Sequence, residues 1–253
     1  TLFVSAQNSV YENVTIAGHN TGNVVHIDGD NAADTKFFGG SEFRQGGAAA
    51  FNASLGHQMY IENPANVSVI GCHMYSGEFS QVFSTAQGAN VMVRKTAAST
   101  TNGGEVNIQG CWMDGTYGPK MHVRNESANR LSGIHFSNNT CIALGGVAGV
   151  GGELDNRFGV VELAPVGAGA IRMVNVQGNT IAHNGAGRAY RGIVVYQNID
   201  GTTAGLAANT QLTHIGVNNN KALGVIALTA GFTPASSSGN VWSAAGSVTE
   251  NVG

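Results

Sequence analysis

"VNVQGNTI", residues 174–181, alternates apolar and polar side chains from Val174 to Gln177, breaks at Gly178-Asn179 and resumes with Thr180 and Ile181. Alternation with a period of two is the signature of a strand with one buried face, and Gly-Asn is a turn signal. The same phrase recurs, respelled, as "VTIAGHNT" at 14, "TKFFGGSEF" at 35, "VSVIGCHM" at 67, "VNIQGCWM" at 106, "IHFSNNTC" at 134 and "IGVNNNKA" at 215. Successive starts lie 21 to 41 residues apart, so a short core repeats and the connections vary.

The fifth position of these copies holds Gly18, Gly39, Gly71, Gly110, Asn138, Gly178 and Asn219. Gly and Asn are the residues that most readily accept positive φ, so each copy is expected to be a strand ending in a left-handed corner. The next column contains Asn139, Asn179 and Asn220, whose amides could bond rung to rung and satisfy corner groups that no sheet reaches.

A second strand family precedes each copy: "LFVSA" at 2, "VVHID" at 24, "MYIEN" at 59, "VMVRK" at 91, "MHVRN" at 121, "GVVELA" at 159, "IVVYQN" at 193 and "GVIAL" at 224. Val4, Ile27, Ile61, Val93, Val123, Leu163 and Tyr196 are taken as equivalent. A strand, a connection, a second strand, a Gly/Asn corner and a third short strand, repeated head to tail, define an all-β parallel solenoid. A β-sandwich fits less well, because hairpin Asn-Gly and Asp-Gly turns are few. About eight coils stacked at roughly 4.8 Å would give a prism about 40 Å long. Residues 1–230 are assigned to the solenoid. Residues 231–253 lose the alternation and are expected to cap its open edge or wrap a neighbouring subunit.

Composition agrees. The 253 residues include 37 Gly and only four Pro, with 42% hydrophobic residues in short alternating runs, which excludes a disordered chain. Twelve basic against fifteen acidic residues leave no polybasic footprint for nucleic acid, and no apolar run is long enough to insert in a membrane. The opening "TLFVSAQNSV" lacks an initiator Met and a charged leader, as expected of a mature or excised fragment. Cys72, Cys111 and Cys141 show no zinc spacing and are expected to be free thiols, although Cys72 and Cys111 share a column within disulfide range.

With its corners at Gly18, Gly71, Gly110, Asn138, Gly178 and Asn219 aligned, the chain resembles the right-handed single-stranded parallel β-helix of the pectate-lyase-like superfamily over most of residues 1–230. Within that group it is most similar in style to bacteriophage tailspike and tail-fibre helices, rich in Gly, Ala, Asn, Thr and Ser. That resemblance implies a homotrimer on the virion tail, outside the cell, joined to other tail proteins. It also implies binding, and in some members cleavage by glycosidase or lyase chemistry, of host surface polysaccharide. The scaffold alone does not fix function. A secreted cellular polysaccharide lyase or epimerase and a purely structural virion fibre are the alternatives.

Two groupings could carry chemistry. If Val25, Ile27, Met59, Ile61, Val91, Val93, Met121 and Val123 face inward, one outward column reads His26, Tyr60, Met92, His122, Glu162 and the next Asp28, Glu62, Arg94, Arg124. This is a shallow polar face on which Arg94 and Arg124 could grip an acidic sugar while His122, Glu62 or Glu162 moves a proton. Otherwise it is a solvated face with weak ion pairs. The second grouping follows the corners: His73, Tyr75 and Glu78 on one coil, Trp112, Asp114 and Tyr117 on the next. Sugars stack on aromatic faces while carboxylates bind their hydroxyls, so these residues outline a glycan groove, or else a coil corner or subunit contact. Glu78 and Asp114, on adjacent coils, could stand at the carboxyl separations of about 5 to 9.5 Å that glycosidases use. No metal or other cofactor is expected. The run "HIDGDNAAD", with Asp28, Asp30 and Asp34, lacks the distal Glu of an EF-hand. Glu153 and Asp155 fall in a Gly-rich connection that could be a lid or a surface loop.

Overall fold

The computed structural model describes residues 1–18, 22–30, 32–44, 56–75, 88–114, 118–144, 158–184, 190–223, 225–243 and 251–252. Three sheets run the length of the molecule, each taking one strand from every coil, and the chain visits them in the order A, B, C before climbing one rung. This is a right-handed parallel β-helix of about eight coils. Sheets A and B hold eight strands each, all parallel. Sheet C ends in the one antiparallel pair among the described strands, Val241–Ser243 with Asn251–Val252.

The second strand family forms sheet A in the expected register: Val4, Ile27, Ile61, Val93, Val123, Leu163 and Tyr196 are stacked partners. The last member differs. Sheet A closes with Thr229–Ala230, and "GVIAL" precedes that strand, contributing a bridge from Val225 to Tyr190 and the Ala227 and Leu228 carbonyls that accept from Ile193 and Val194. The first copy of the opening phrase differs too. Thr15–Ala17 belongs to sheet C, opposite Glu42–Arg44, so Gly18 is not a corner. The first corner is Asn13 at φ 51°, one residue past Glu12, the partner of Phe38, as Gly39 at φ 68° is one past Phe38. The later corners stand as read, with Gly71, Gly110, Asn138, Gly178 and Asn219 all between φ 55° and 66°, followed by Gly239 at φ 63°. That last corner joins Ser236–Ser238 on sheet B to Val241–Ser243 on sheet C, so the boundary anticipated at residue 230 falls inside the final coil.

Inside the tube the three sheets contribute alternate apolar residues, such as Ile61 and Val93 from A, Ile108 and Phe136 from B, and Met74 and Met113 from C, all wholly buried. Residues just past the corners form a second inward column: Cys72, Cys111, Asn139, Asn179, Asn220 and Asn240, all buried. The asparagines make a ladder. Asn139 donates through Nδ2 to Asn179 Oδ1 (3.1 Å), Asn179 to Asn220 (2.9 Å) and Asn220 to Asn240 (2.9 Å). Each Oδ1 also accepts the backbone N–H of the coil before it, and each Nδ2 reaches a sheet B carbonyl. Corner groups that the ladders of the sheets cannot pair are thereby satisfied. The three cysteines are free and buried.

Candidate functional site

The outward columns of sheet A are registered as the alternation requires, His26–Tyr60–Met92–His122–Glu162 and Asp28–Glu62–Arg94–Arg124. Their environment is not the open polar face expected. Tyr60, Met92, His122, Glu162 and Val195 are 0–2% exposed, so the middle of this face is buried on both sides. "GIVVY" carries the signal, being apolar on both faces as doubly covered strands are, and "GVVELA" departs from that pattern only at Glu162. Only the margins are open to solvent, with Glu62 28% exposed and bonded to His26 Nε2 at 3.1 Å.

Within this buried layer His122 Nδ1 lies 2.8 Å from Glu162 Oε2. Glu162 Oε1 accepts the Gly159 N–H at 3.1 Å and the Gln197 amide, whose oxygen is held by Arg191 at 2.9 Å. Burial is the main cause of both shifts. It pushes Glu162 well above its ordinary value and pulls His122 well below, with Arg124 and His57 adding to the latter. The pair therefore stays neutral overall.

Glu62 and Arg94 are register neighbours, and among the described residues the ion pairs join Glu62 to His26 and Arg94 to Glu126. Arg94 donates to Glu126 through Nε (3.1 Å) and Nη2 (2.9 Å) and to Tyr60 Oη (3.2 Å), while Arg124 donates to Glu126 (2.5 Å) and Asn198 (3.0 Å). Burial pushes Glu126 up, but the two guanidinium groups outweigh it and hold the carboxyl below its ordinary value. Glu126 lies past the strand end, where column reasoning does not reach. Glu126→Gln should remove the carboxylate that Arg94 and Arg124 share and cost roughly 1–3 kcal/mol, read as a lower urea midpoint. An unchanged midpoint would show the pair to be dispensable.

The second grouping comes together on the outward face of sheet C. His73 and Trp112 are register partners and Asp114 follows Tyr75 one coil on, its N–H bonded to Met74 O. Trp112 is 46% exposed, and its indole N–H donates to Asp114 Oδ2 at 3.1 Å. That carboxylate stands 3.7 Å from His73 Nε2. The His73 ring lies 4.5 Å from Tyr75 and 6.3 Å from Trp112, and Arg44 sits 5.4 Å over the Tyr75 ring while bonding Glu42. One exposed surface thus holds three rings, the carboxylates of Asp114 and Glu42, and the Arg44 cation paired with Glu42. Arg44 was missed because it belongs to the coil whose extra residue, Gly40, obscures the alignment. Glu78, Tyr117, Glu153 and Asp155 lie outside the described residues.

Behind this face Lys120 is wholly buried at the corner between sheets C and A, where burial pulls it down to about 8 despite Cys141 and Asp114. The acidic run at 28–34 is engaged by asparagines, Asp30 accepting from Asn63 at 2.6 Å and Asp34 from Asn66. Set against known protein families, curated proteins and solved structures, the chain gives no match.

Proposed function

We propose that this chain is a β-helical spike or fibre of a bacteriophage tail that binds bacterial surface polysaccharide on the outward face of sheet C. The observation that carries the reading is Trp112, a large aromatic left half exposed with its polar edge anchored on Asp114. A ring held this way offers a rigid apolar face beside bonded polar groups, the combination that pyranose rings recognise. Tyr75 and His73 extend the platform, and Arg44 gives it a cation for an acidic sugar. The Gly-, Asn- and Ser-rich coils support the tail-fibre assignment, and with it a homotrimer working outside the cell beside other virion proteins. In the same reading Asp114, with Glu78, carries any depolymerisation.

The test is an array of bacterial surface polysaccharides probed with labelled protein. Retention of one or a few glycans, weakened at least tenfold by Trp112→Ala with the unfolding midpoint unchanged, is the expected result. Retention equal to wild type in Trp112→Ala would sink this site, and binding of no glycan would leave a structural fibre. Release of fragments that stops in Asp114→Asn would add cleavage to binding.

A further inference from the structure

Sheet B carries a groove of about 580 Å³ on its outward face, running across coils from Asn66 to Gln177. One column of its floor is Ser68, Asn107, His135 and Asn175, in register on four consecutive coils. Beside it runs a second, Gln109, Ser137 and Gln177. Among the described residues none of these seven side chains hydrogen-bonds within the chain. Their surroundings make the contrast. Asn66 at the groove's edge is tied to Asp34, and Asn218, the rung after Gln177, is tied to Ser236 and Ser238. The ladder amides inside the tube are likewise fully used.

A backbone feature coincides with this surface. Gly133, Met173 and His214 occupy one position on three consecutive coils, and all are left-handed, at φ 82°, 55° and 56°. Gly133 and Met173 line the groove, and the Met173 side chain is 53% exposed. A left-handed residue inside a strand interrupts its pleat, and the β-carbon of Met makes that conformation costly. No burial of that side chain offsets the cost, which is the circumstance in which strain points to function.

We infer that this groove is a second glycan site, separate from the sheet C face, that takes a neutral, hydroxyl-rich chain lying along the helix axis. Seven side chains whose donors and acceptors are unused within the chain, repeating at the rung spacing of about 4.8 Å, suit a polymer of hydroxyl-bearing units. The lining holds one carboxylate, Glu105, and no Lys or Arg, so acidic sugars are left to the face bearing Arg44. The inference rests on the reading of the chain as a glycan binder, and one experiment separates the two.

Wild-type protein, Trp112→Ala and the double variant Asn107→Ala/Asn175→Ala are applied to an array of neutral and acidic bacterial polysaccharides, each protein checked for its unfolding midpoint and sedimentation. Neutral glycans retained by Trp112→Ala but held at least tenfold more weakly by the double variant are the expected result. Neutral glycans held equally by the double variant overturn the groove alone. A changed oligomeric state of the double variant also overturns it, by making this face a subunit contact. Binding of no glycan by wild type overturns both sites.

Discussion

Asn179→Ala is expected to destabilise the protein by about 3–5 kcal/mol, far more than loss of a single neutral hydrogen bond. The Asn179 amide donates to Phe136 O and Asn220 Oδ1, and its oxygen accepts both the backbone N–H and the side-chain amide of Asn139. All of these groups are buried. Truncation leaves the Asn139 N–H and the Phe136 carbonyl each short of a partner, at roughly 1–3 kcal/mol apiece, and adds a small cavity. Asn175→Ala, four residues earlier on the outward face, should stay within about 0.5 kcal/mol. Urea unfolding of the two variants side by side decides it. Equal midpoints would mean that the ladder is a by-product of the stacking and not a support of it.

The wild-type protein should show opposing contributions of His122 and Glu162 to stability between pH 4.5 and 6.5, so that its profile is flatter there than that of a variant lacking either group. The ordinary values are 6.5 for the imidazole and 4.5 for the carboxyl, and burial lowers the first and raises the second. A lowered His costs stability as pH falls below 6.5, because the unfolded chain binds a proton that the folded one refuses. A raised Glu costs stability as pH rises above 4.5, because the folded chain keeps a proton that the unfolded one releases. Between the two ordinary values the two slopes have opposite sign and offset one another. Above 6.5 the His122 slope ends and the raised Glu162 lowers stability with rising pH, while from near pH 8 the lowered Lys120 acts in the opposite sense. Below 4.5 the His122 slope is joined by that of Glu126, whose lowered value adds acid sensitivity. Glu162→Gln removes one arm only. Its stability should climb from pH 4.5 to 6.5 and level off above, where the wild type declines. Denaturation midpoints at half-unit pH steps check this, and parallel wild-type and variant profiles would refute the neutral buried pair.

Sheet A was legible because its middle strands, Met59–Glu62, Val91–Lys95 and Met121–Asn125, are four or five residues long with a β-branched residue at one shared position, so Ile61, Val93 and Val123 align without reference to anything distant. The corners were legible where backbone geometry admits few residues, as at Gly71 and Asn138. They failed in the first coil, where Asn13 turns the chain and a nearby glycine imitated it. The ladder was read from three asparagines, and its fourth member, Asn240, lay beyond the last aligned copy. The site was harder. A column fixes which residues are neighbours but not what covers them, so the pairing of His122 with Glu162 followed from register while their burial did not. Arg94 found its partner in Glu126, a residue outside any strand, because a long side chain reaches past its own rung. Trp112, Tyr75, His73 and Asp114 were brought together as expected, since their spacing from the corner is the same on adjacent coils.

Under the proposed function glycan lies against Trp112, where it would alter the fluorescence of the indole. In Trp242→Phe protein Trp112 is the only indole of the chain. Titration with a polysaccharide that the array identifies as sheet C-dependent should change the Trp112 emission saturably, with the same midpoint as binding measured by calorimetry. Calorimetric binding of that polysaccharide with no change in Trp112 emission would contradict the account.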